Sequence, residues 1–268
     1  MPLAPDSDKV IAAIREAAEE DIMPRFQRLE RHEISEKNPG EVVTVADIEA
    51  EHRLTRLLSD IVPGSAVVGE EAVSKDPKIL NYLQGDDPVW LVDPVDGTAN
   101  FAEGQRVFGI IICYLVKGIA RAGWIHDPCT GRTAAALAGE GAWLDGERMK
   151  PAPAAALEQM IGTLNVGYFP DSRRKAVREA GRRFKKTFSY RCAAHDYLAL
   201  AGGTKHFSLY NRLWPWDHAA GVLLLAEAGG HTARLDGRPY QATGREEGIL
   251  SVSDPESWER IKNFLNSA

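Results

Sequence analysis

Cysteine is scarce, basic excess is absent and no apolar stretch is long, and each shortage removes a class of protein. The three cysteines, Cys113, Cys129 and Cys192, lie far apart and form no CxxC pair. That pattern argues against a disulfide framework and points to a reducing, cytoplasmic setting. His126, His206, His218 and His231 lack zinc-ligand spacing with any cysteine and read as structural. The longest apolar run, Phe108 to Val116, is interrupted by Gly109. It falls well short of the roughly 20 residues that a membrane-spanning helix needs. The opening residues Met1-Pro2-Leu3-Ala4-Pro5-Asp6 carry no basic segment ahead of an apolar core, so no signal peptide is expected there. The net charge is -6, which disfavours a nucleic-acid backbone as the main partner. The clusters Arg173-Arg174-Lys175 and Arg182-Arg183-Phe184-Lys185-Lys186 therefore read as the solvated face of a surface helix. No internal repeat, no low-complexity segment and no Gly-x-Ser-x-Gly is found, which disfavours a solenoid and leaves no sign of a serine nucleophile.

What is present is an ordinary globular composition, 44% hydrophobic and 26% charged over 268 residues, enough for one large domain or two closely packed halves. Residues 8–30 read as an amphipathic helix, a polar loop around Asn38-Pro39-Gly40 follows, and a second helix begins near Ala46-Asp47 and stops at Pro63-Gly64. Ser65 to Gly69 and Val89 to Val92 look like short buried strands. Three more strands are expected at 107–117, 119–126 and 132–138. Beyond Pro151 and Pro153 the pattern alternates. Helices are expected at 171–184, 194–202, 216–228 and 255–266. Strands are expected at 187–191, 205–210, 231–234 and 249–252. An α+β half (1–150) joined to an α/β half (151–268) in one compact unit is the expected organisation.

The most informative run is Trp90-Leu91-Val92-Asp93-Pro94-Val95-Asp96-Gly97-Thr98. A buried strand ends in acid, and Pro94 removes a backbone donor, so the strand is not expected to continue past it. Asp93 and Asp96 can converge at that end, and Gly97 lets backbone approach a ligand. Magnesium takes oxygen ligands, commonly one or two carboxylates with waters and substrate phosphate, and the Val95 carbonyl could add another. N–H groups at Gly97-Thr98 would suit an anion. Taken alone, the run is equally a tight turn. Val67-Val68-Gly69-Glu70-Glu71 also reads as a strand ending in acid, or as a solvated loop. Trp216-Asp217-His218 opens a helix, where Asp217 is either an N-cap or a ligand.

Together these segments resemble the inositol monophosphatase family, lithium-sensitive metal-dependent phosphomonoesterases. Residues 93–98 resemble its Asp-Pro-(Ile/Val/Leu)-Asp-Gly-Thr motif, and Trp216-Asp217-His218-Ala219-Ala220-Gly221 its Trp-Asp-x-Ala-(Ala/Gly)-Gly motif. Gly69-Glu70-Glu71, Val43-Thr44-Val45-Ala46-Asp47 and Glu227-Ala228-Gly229-Gly230 are similar to three further elements, in family order. The resemblance implies a layered αβαβα sandwich of the inositol monophosphatase and fructose-1,6-bisphosphatase type, a homodimer, and two or three Mg2+ ions, with Mn2+ as an alternative. It implies Glu70, Asp93 and the Val95 carbonyl at a first metal, Asp93, Asp96 and Asp217 at a second, and Glu70 near a third through water. Thr98 and Asp47, with Glu70, would orient the attacking water, and the Gly97 and Thr98 N–H groups would hold the phosphate. Lys37 falls near a lysine of the family's active-site loop.

The substrate implied is a small phosphorylated metabolite, with inositol 1-phosphate leading. Inositol-specific members carry a glutamate shortly before the second-motif aspartate, whereas this chain has Leu209 and Tyr210 there. Tyr210, Asn211 and Arg212 could therefore meet a different leaving group, and Ala194 falls near another substrate-contact position. Histidinol phosphate, fructose 1,6-bisphosphate and 3′-phosphoadenosine 5′-phosphate are the alternatives, with Arg212 suited to a second phosphate. His195 reads as a helix-start residue. A regulator of RNA polymerase or RNA is the alternative of a different class.

Overall fold

The computed structural model describes residues 4–244 and 248–266. Helix α1 (Ser7–Ala17) starts at Asp6, whose carboxylate accepts the N–H groups of Asp8 and Lys9. The single helix expected over 8–30 does not run its length. It passes into a π turn at Ala18–Ile22 and a 3-10 turn at Met23–Arg25, because Pro24 cannot donate to the turn before it. The expected polar loop is a two-stranded hairpin, β1 (Ile34–Asn38) and β2 (Glu41–Thr44), turning at Pro39-Gly40. Helix α2 (Val45–Ile61) follows directly. Thr44 and Asp47 cap its start reciprocally, Thr44 N–H and Oγ1 both donating to Asp47 Oδ2 at 2.9 and 2.6 Å.

Seven strands then form one sheet in the order β3 (Ala66–Gly69), β4 (Val89–Asp96), β5 (Gly109–Val116), β6 (Ile119–Asp127), β7 (Arg132–Leu137), β8 (Gly141–Leu144), β9 (Glu147–Arg148). Within this sheet, among the described residues, only β3 and β4 pair in parallel. A second sheet has the order β11-β10-β12-β14-β13, with β10 (Ile161–Leu164), β11 (Lys186–Thr187), β12 (Phe207–Tyr210), β13 (His231–Arg234) and β14 (Ile249–Val252). The remaining helices are α3 (Glu70–Lys75), α4 (Thr98–Ala102), α5 (Asp171–Gly181), α6 (Ala193–Ala201), α7 (Pro215–Ala228) and α8 (Pro255–Asn266). The strand expected over 187–191 is reduced to the two residues of β11, at the sheet's edge.

Period-2 burial explains the layering. Trp90, Val92, Ile110, Ile112 and Tyr114 pack with Val10, Ile14, Leu54 and Leu58 of α1 and α2. Leu91, Ile111, Cys113 and Ile125 face the other way, against Tyr197, Leu200, Ala220 and Leu224 of α6 and α7. The second sheet covers α6 and α7, and its outer face packs Phe207, Leu250 and Val252 against Val177 of α5 and Trp258 and Ile261 of α8. The result is the αβαβα order expected from the resemblance. Helix α7 packs closely in the middle layer: a Cβ at Gly221 would stand 2.0 Å from the Tyr197 ring of α6, so only glycine fits there. Its far end is fixed by Glu227, whose two oxygens accept the Gly139 and Gly141 N–H groups at 2.7 and 2.8 Å in the β7–β8 turn.

Candidate active site

Strands β3 and β4 and helix α7 meet at one cleft of about 660 Å3. The parallel pairing of β3 with β4, with Gly69 opposite Val92, sets Glu70 and Asp93 side by side at the strands' carboxyl ends. Helix α7 supplies Asp217 from its first turn. One oxygen each from Glu70, Asp93 and Asp217 lies within 4.8 Å of the others. Strand β4 does not stop at Pro94 as expected. It runs on to Asp96 with a register shift against β5 between Asp93 and Asp96, and this bulge absorbs the missing N–H of Pro94. The bulge turns Asp93 and Asp96 to the same end of the strand.

Asp96 lies on the cleft wall outside that 4.8 Å trio. Its Oδ2 accepts the Ala194 N–H at 2.5 Å and the Cys192 thiol at 3.1 Å, so the start of α6 holds one of its oxygens. The Val95 carbonyl lines the cleft and faces the Thr98 hydroxyl at 2.9 Å. The same hydroxyl lies 2.9 Å from Asp47 Oδ1. It has one proton, so only one of the two oxygens receives it at a time. Gly97, at φ +88°, turns the chain from β4 into α4, and a Cβ there would stand 3.0 Å from the Val107 carbonyl.

The electrostatics of the cluster suit a bound cation. Burial, then the charges of Glu70, Asp96 and Asp217, push Asp93 well above the usual carboxylate range. Burial, then Glu70 and Asp96, does the same to Asp217. Asp96 is pushed by burial to about 6, against the opposing hydrogen bonds of Ala194 and Cys192. Asp47 is raised by burial to about 7, with Thr44 opposing and Glu71 and Glu70 adding. Like charges so crowded must take up protons or a metal ion. An all-oxygen set of this kind fits a hard divalent cation.

Lys37 reaches in from β1. Its ammonium sits 2.7 Å from Glu70 and 2.6 Å from Glu71; burial alone would lower it, and the two carboxylates raise it instead. Two carboxylates at the site were given no role by the sequence. Glu71 is one. The other is Glu51 of α2, which accepts the Glu71 and Ala72 N–H groups at 2.7 and 2.8 Å and so fixes the start of α3. Its position one turn after Asp47, on the buried face of α2, was the available signal.

The cleft is also lined by Tyr168, Tyr210 and Arg212. The Tyr210 hydroxyl donates to Asp196, a fully buried carboxylate that also takes Lys205 and the Thr163 hydroxyl. Nothing in the sequence patterning marked this network. Arg212 pairs with Glu41 of β2, and its guanidinium lies 4.1 Å from the Tyr168 ring centroid. Ala194 is fully buried beneath the cleft and meets it only through its N–H on Asp96. His195 lies in the first turn of α6 with Nε2 3.2 Å from the Phe108 carbonyl. His126 and His218 are buried against Thr133 and Tyr197, and burial lowers both to about 4.

The inositol monophosphatase family model matches residues 6–265. Inositol-1-monophosphatase of Bacillus subtilis is 31% identical over 209 residues, 77% of each chain. The fructose-1,6-bisphosphatase/inositol-1-monophosphatase of Thermotoga maritima is 29% identical over the same share. Nus factor SuhB of Escherichia coli is 29% identical over 83% of each. A solved IMPase of Thermotoga maritima superposes with a TM-score of 0.82 at 27% identity, covering 97% of this chain and 96% of that one. The chain therefore belongs to the inositol monophosphatase family, phosphatases that hydrolyse phosphate monoesters.

Proposed function

We propose that this chain is a Mg2+-dependent phosphomonoesterase of small phosphorylated metabolites. The observation that carries the reading is the convergence of Glu70, Asp93 and Asp217 from three distant segments within 4.8 Å. Glu70, Asp93 and the Val95 carbonyl would hold one ion, Asp93, Asp96 and Asp217 a second, and Glu70 would help hold a third; Mn2+ would be a substitute. Bound Mg2+ supplies the positive charge that steadies the phosphoryl oxygens and eases ionisation of water. The chain's own groups do the rest. The Gly97 and Thr98 N–H groups, at the chain's turn into α4, hold the phosphate. Asp47 and Thr98 orient the attacking water and draw off its proton: Thr98 Oγ1 passes a proton to Asp47 Oδ1, 2.9 Å away. Asp47 is the carboxylate within reach of that proton. Lys37 holds Glu70 and Glu71 in place.

Inositol 1-phosphate, the ester implied by the name of the Bacillus relative, is the reference substrate. A cytoplasmic homodimer is part of the same reading. The test is phosphate release with and without Mg2+, with lithium as inhibitor. Release that is unaffected by chelation of divalent ions would sink it. The similarity to a Nus factor supports a second reading, a regulator that binds RNA polymerase or RNA. Stable capture of either, with no ester hydrolysed, would favour it.

A further inference from the structure

Asp96 is aimed by the start of α6. One of its oxygens accepts the Ala194 N–H and the Cys192 thiol, at 2.5 and 3.1 Å, which leaves the other for an ion. The chain reaches that start through residues 188–192, which lie between β11 and α6 and belong to no helix or strand. Ser189, Arg191 and Cys192 of this segment line the cleft. The segment can hold Asp96 only as firmly as it is itself held.

Asn100 of α4 supplies the fastening. Its side chain is buried, and its amide is fully used. Nδ2 donates to the Val107 carbonyl at 2.7 Å and to the Tyr190 carbonyl at 2.8 Å. Oδ1 accepts Arg191 Nη2 at 2.9 Å, and the same nitrogen donates to Glu103, just past the end of α4, at 2.8 Å. One amide therefore joins α4, the approach to β5 and the approach to α6. Arg191 stands at φ +53°. A residue with a Cβ adopts that left-handed conformation only where its surroundings impose it. The packing is close as well: a Cβ on Gly97 would lie 3.2 Å from the Cys192 Cβ.

Resting on the phosphatase reading, we propose that Asn100 and Arg191 are positioning residues for the metal centre: they clasp the start of α6 to α4 and so aim Asp96 at its ion. Both act through Asp96. Glu70 and Asp93 are set instead by the pairing of β3 with β4, which does not involve the clasp. Loosening the clasp therefore weakens one ion and spares the other.

The test is calorimetric titration of the full chain with Mn2+, with Asp96→Asn as the reference. The binding event that Asp96→Asn weakens is the one that runs through Asp96. Asn100→Ala weakens that event by roughly 10- to 100-fold, the usual cost of removing a group that orients a metal ligand, and leaves the other event in place. Arg191→Gly weakens the same event by a smaller factor. Glycine adopts a positive φ freely, so this variant removes the guanidinium and keeps the turn, and it decides the matter if Asn100→Ala does not fold. An Asp96 event unmoved in either folded variant, or two events weakened alike, overturns the proposal. So does an Asp96→Asn chain that binds every ion as the wild type does. In each of these cases the phosphatase reading stands as long as the wild type releases phosphate in Mg2+. A wild-type chain that binds no divalent ion and releases no phosphate from inositol 1-phosphate or p-nitrophenyl phosphate overturns both.

Discussion

Replacing Asp93 by asparagine should abolish phosphate release and, in the absence of divalent ions, make the protein more stable. Asp93 is 2% exposed and faces Glu70 and Asp217 at 4.8 Å or less. At that separation two unit charges repel by roughly 3.5 kcal/mol at an effective dielectric of about 20. The cluster sheds part of that by taking up protons, which is why its members titrate high. The neutral amide has the same shape, so the expected gain at pH 8 is about 1–3 kcal/mol, or roughly 3–10 °C in Tm. The sign with pH follows from linkage. A carboxyl raised on folding contributes stability that is complete below its ordinary value near pH 4 and lost as pH rises through the folded value. With Asp96 at about 6 and Asp47 at about 7 in the same cluster, the gap between variant and wild type should be small at pH 4 and widest above pH 7. Mg2+ should reverse the order: at 100 times Kd it adds about 2.7 kcal/mol to the wild type and much less to the variant. Phosphate release should fall by about 1000-fold or more. Scanning calorimetry at pH 4, 6 and 8, with EDTA and with Mg2+, reads all of this. A lower Tm for the variant in EDTA at pH 8, or an undiminished Mg2+ gain, refutes the reasoning.

Three further substitutions probe separate parts of the structure. Thr98→Val removes the hydroxyl shared by Asp47 and Val95, and kcat should fall roughly 10²- to 10⁴-fold with KM little changed, while Thr98→Ser recovers most of it. Gly97→Ala forces a side chain into a positive-φ turn and against the Val107 carbonyl, which should cost about 1–3 kcal/mol by urea unfolding and depress kcat/KM. Lys205→Met strands Asp196 in the interior, for a loss of about 3–5 kcal/mol that Asp196→Asn partly restores in the double variant.

Much of the site was readable because its residues sit where local patterns change. Asp93-Pro94-Val95-Asp96-Gly97-Thr98 marks a strand end, Glu70 follows a short apolar run, and Asp217 opens a helix. Composition alone could not say that Pro94 lies inside a strand, since only the pairing partner β5 provides the bulge that accommodates it. Hairpin β1–β2 was hidden for a similar reason. Ser35, Glu36 and Lys37 lack apolar alternation because the hairpin is a half-exposed wall of the cleft and no part of a core. Glu51 reads as a surface charge until α3 is docked on it. The Asp196 network joins α6 to Thr163 of β10 and Tyr210 of β12, a contact that no window of sequence spans. The π and 3-10 turns after α1 had their signal in Pro24, which amphipathic spacing overrode.

Helix α7 gives the site a mechanical reach beyond its ligands. Asp217 lies in its first turn and Glu227 in its last, ten residues and about 15 Å apart on one stiff rod. Glu227 grips the β7–β8 turn through Gly139 and Gly141, on the outer part of the seven-stranded sheet. The position of one carboxylate in the cleft is therefore gauged from a turn about 15 Å away along α7. Glu227→Gln should shift the affinity for divalent ions measured by titration calorimetry although it touches none of the groups that bind them; an unchanged affinity would mean that packing along α7 holds its register without this distant anchor.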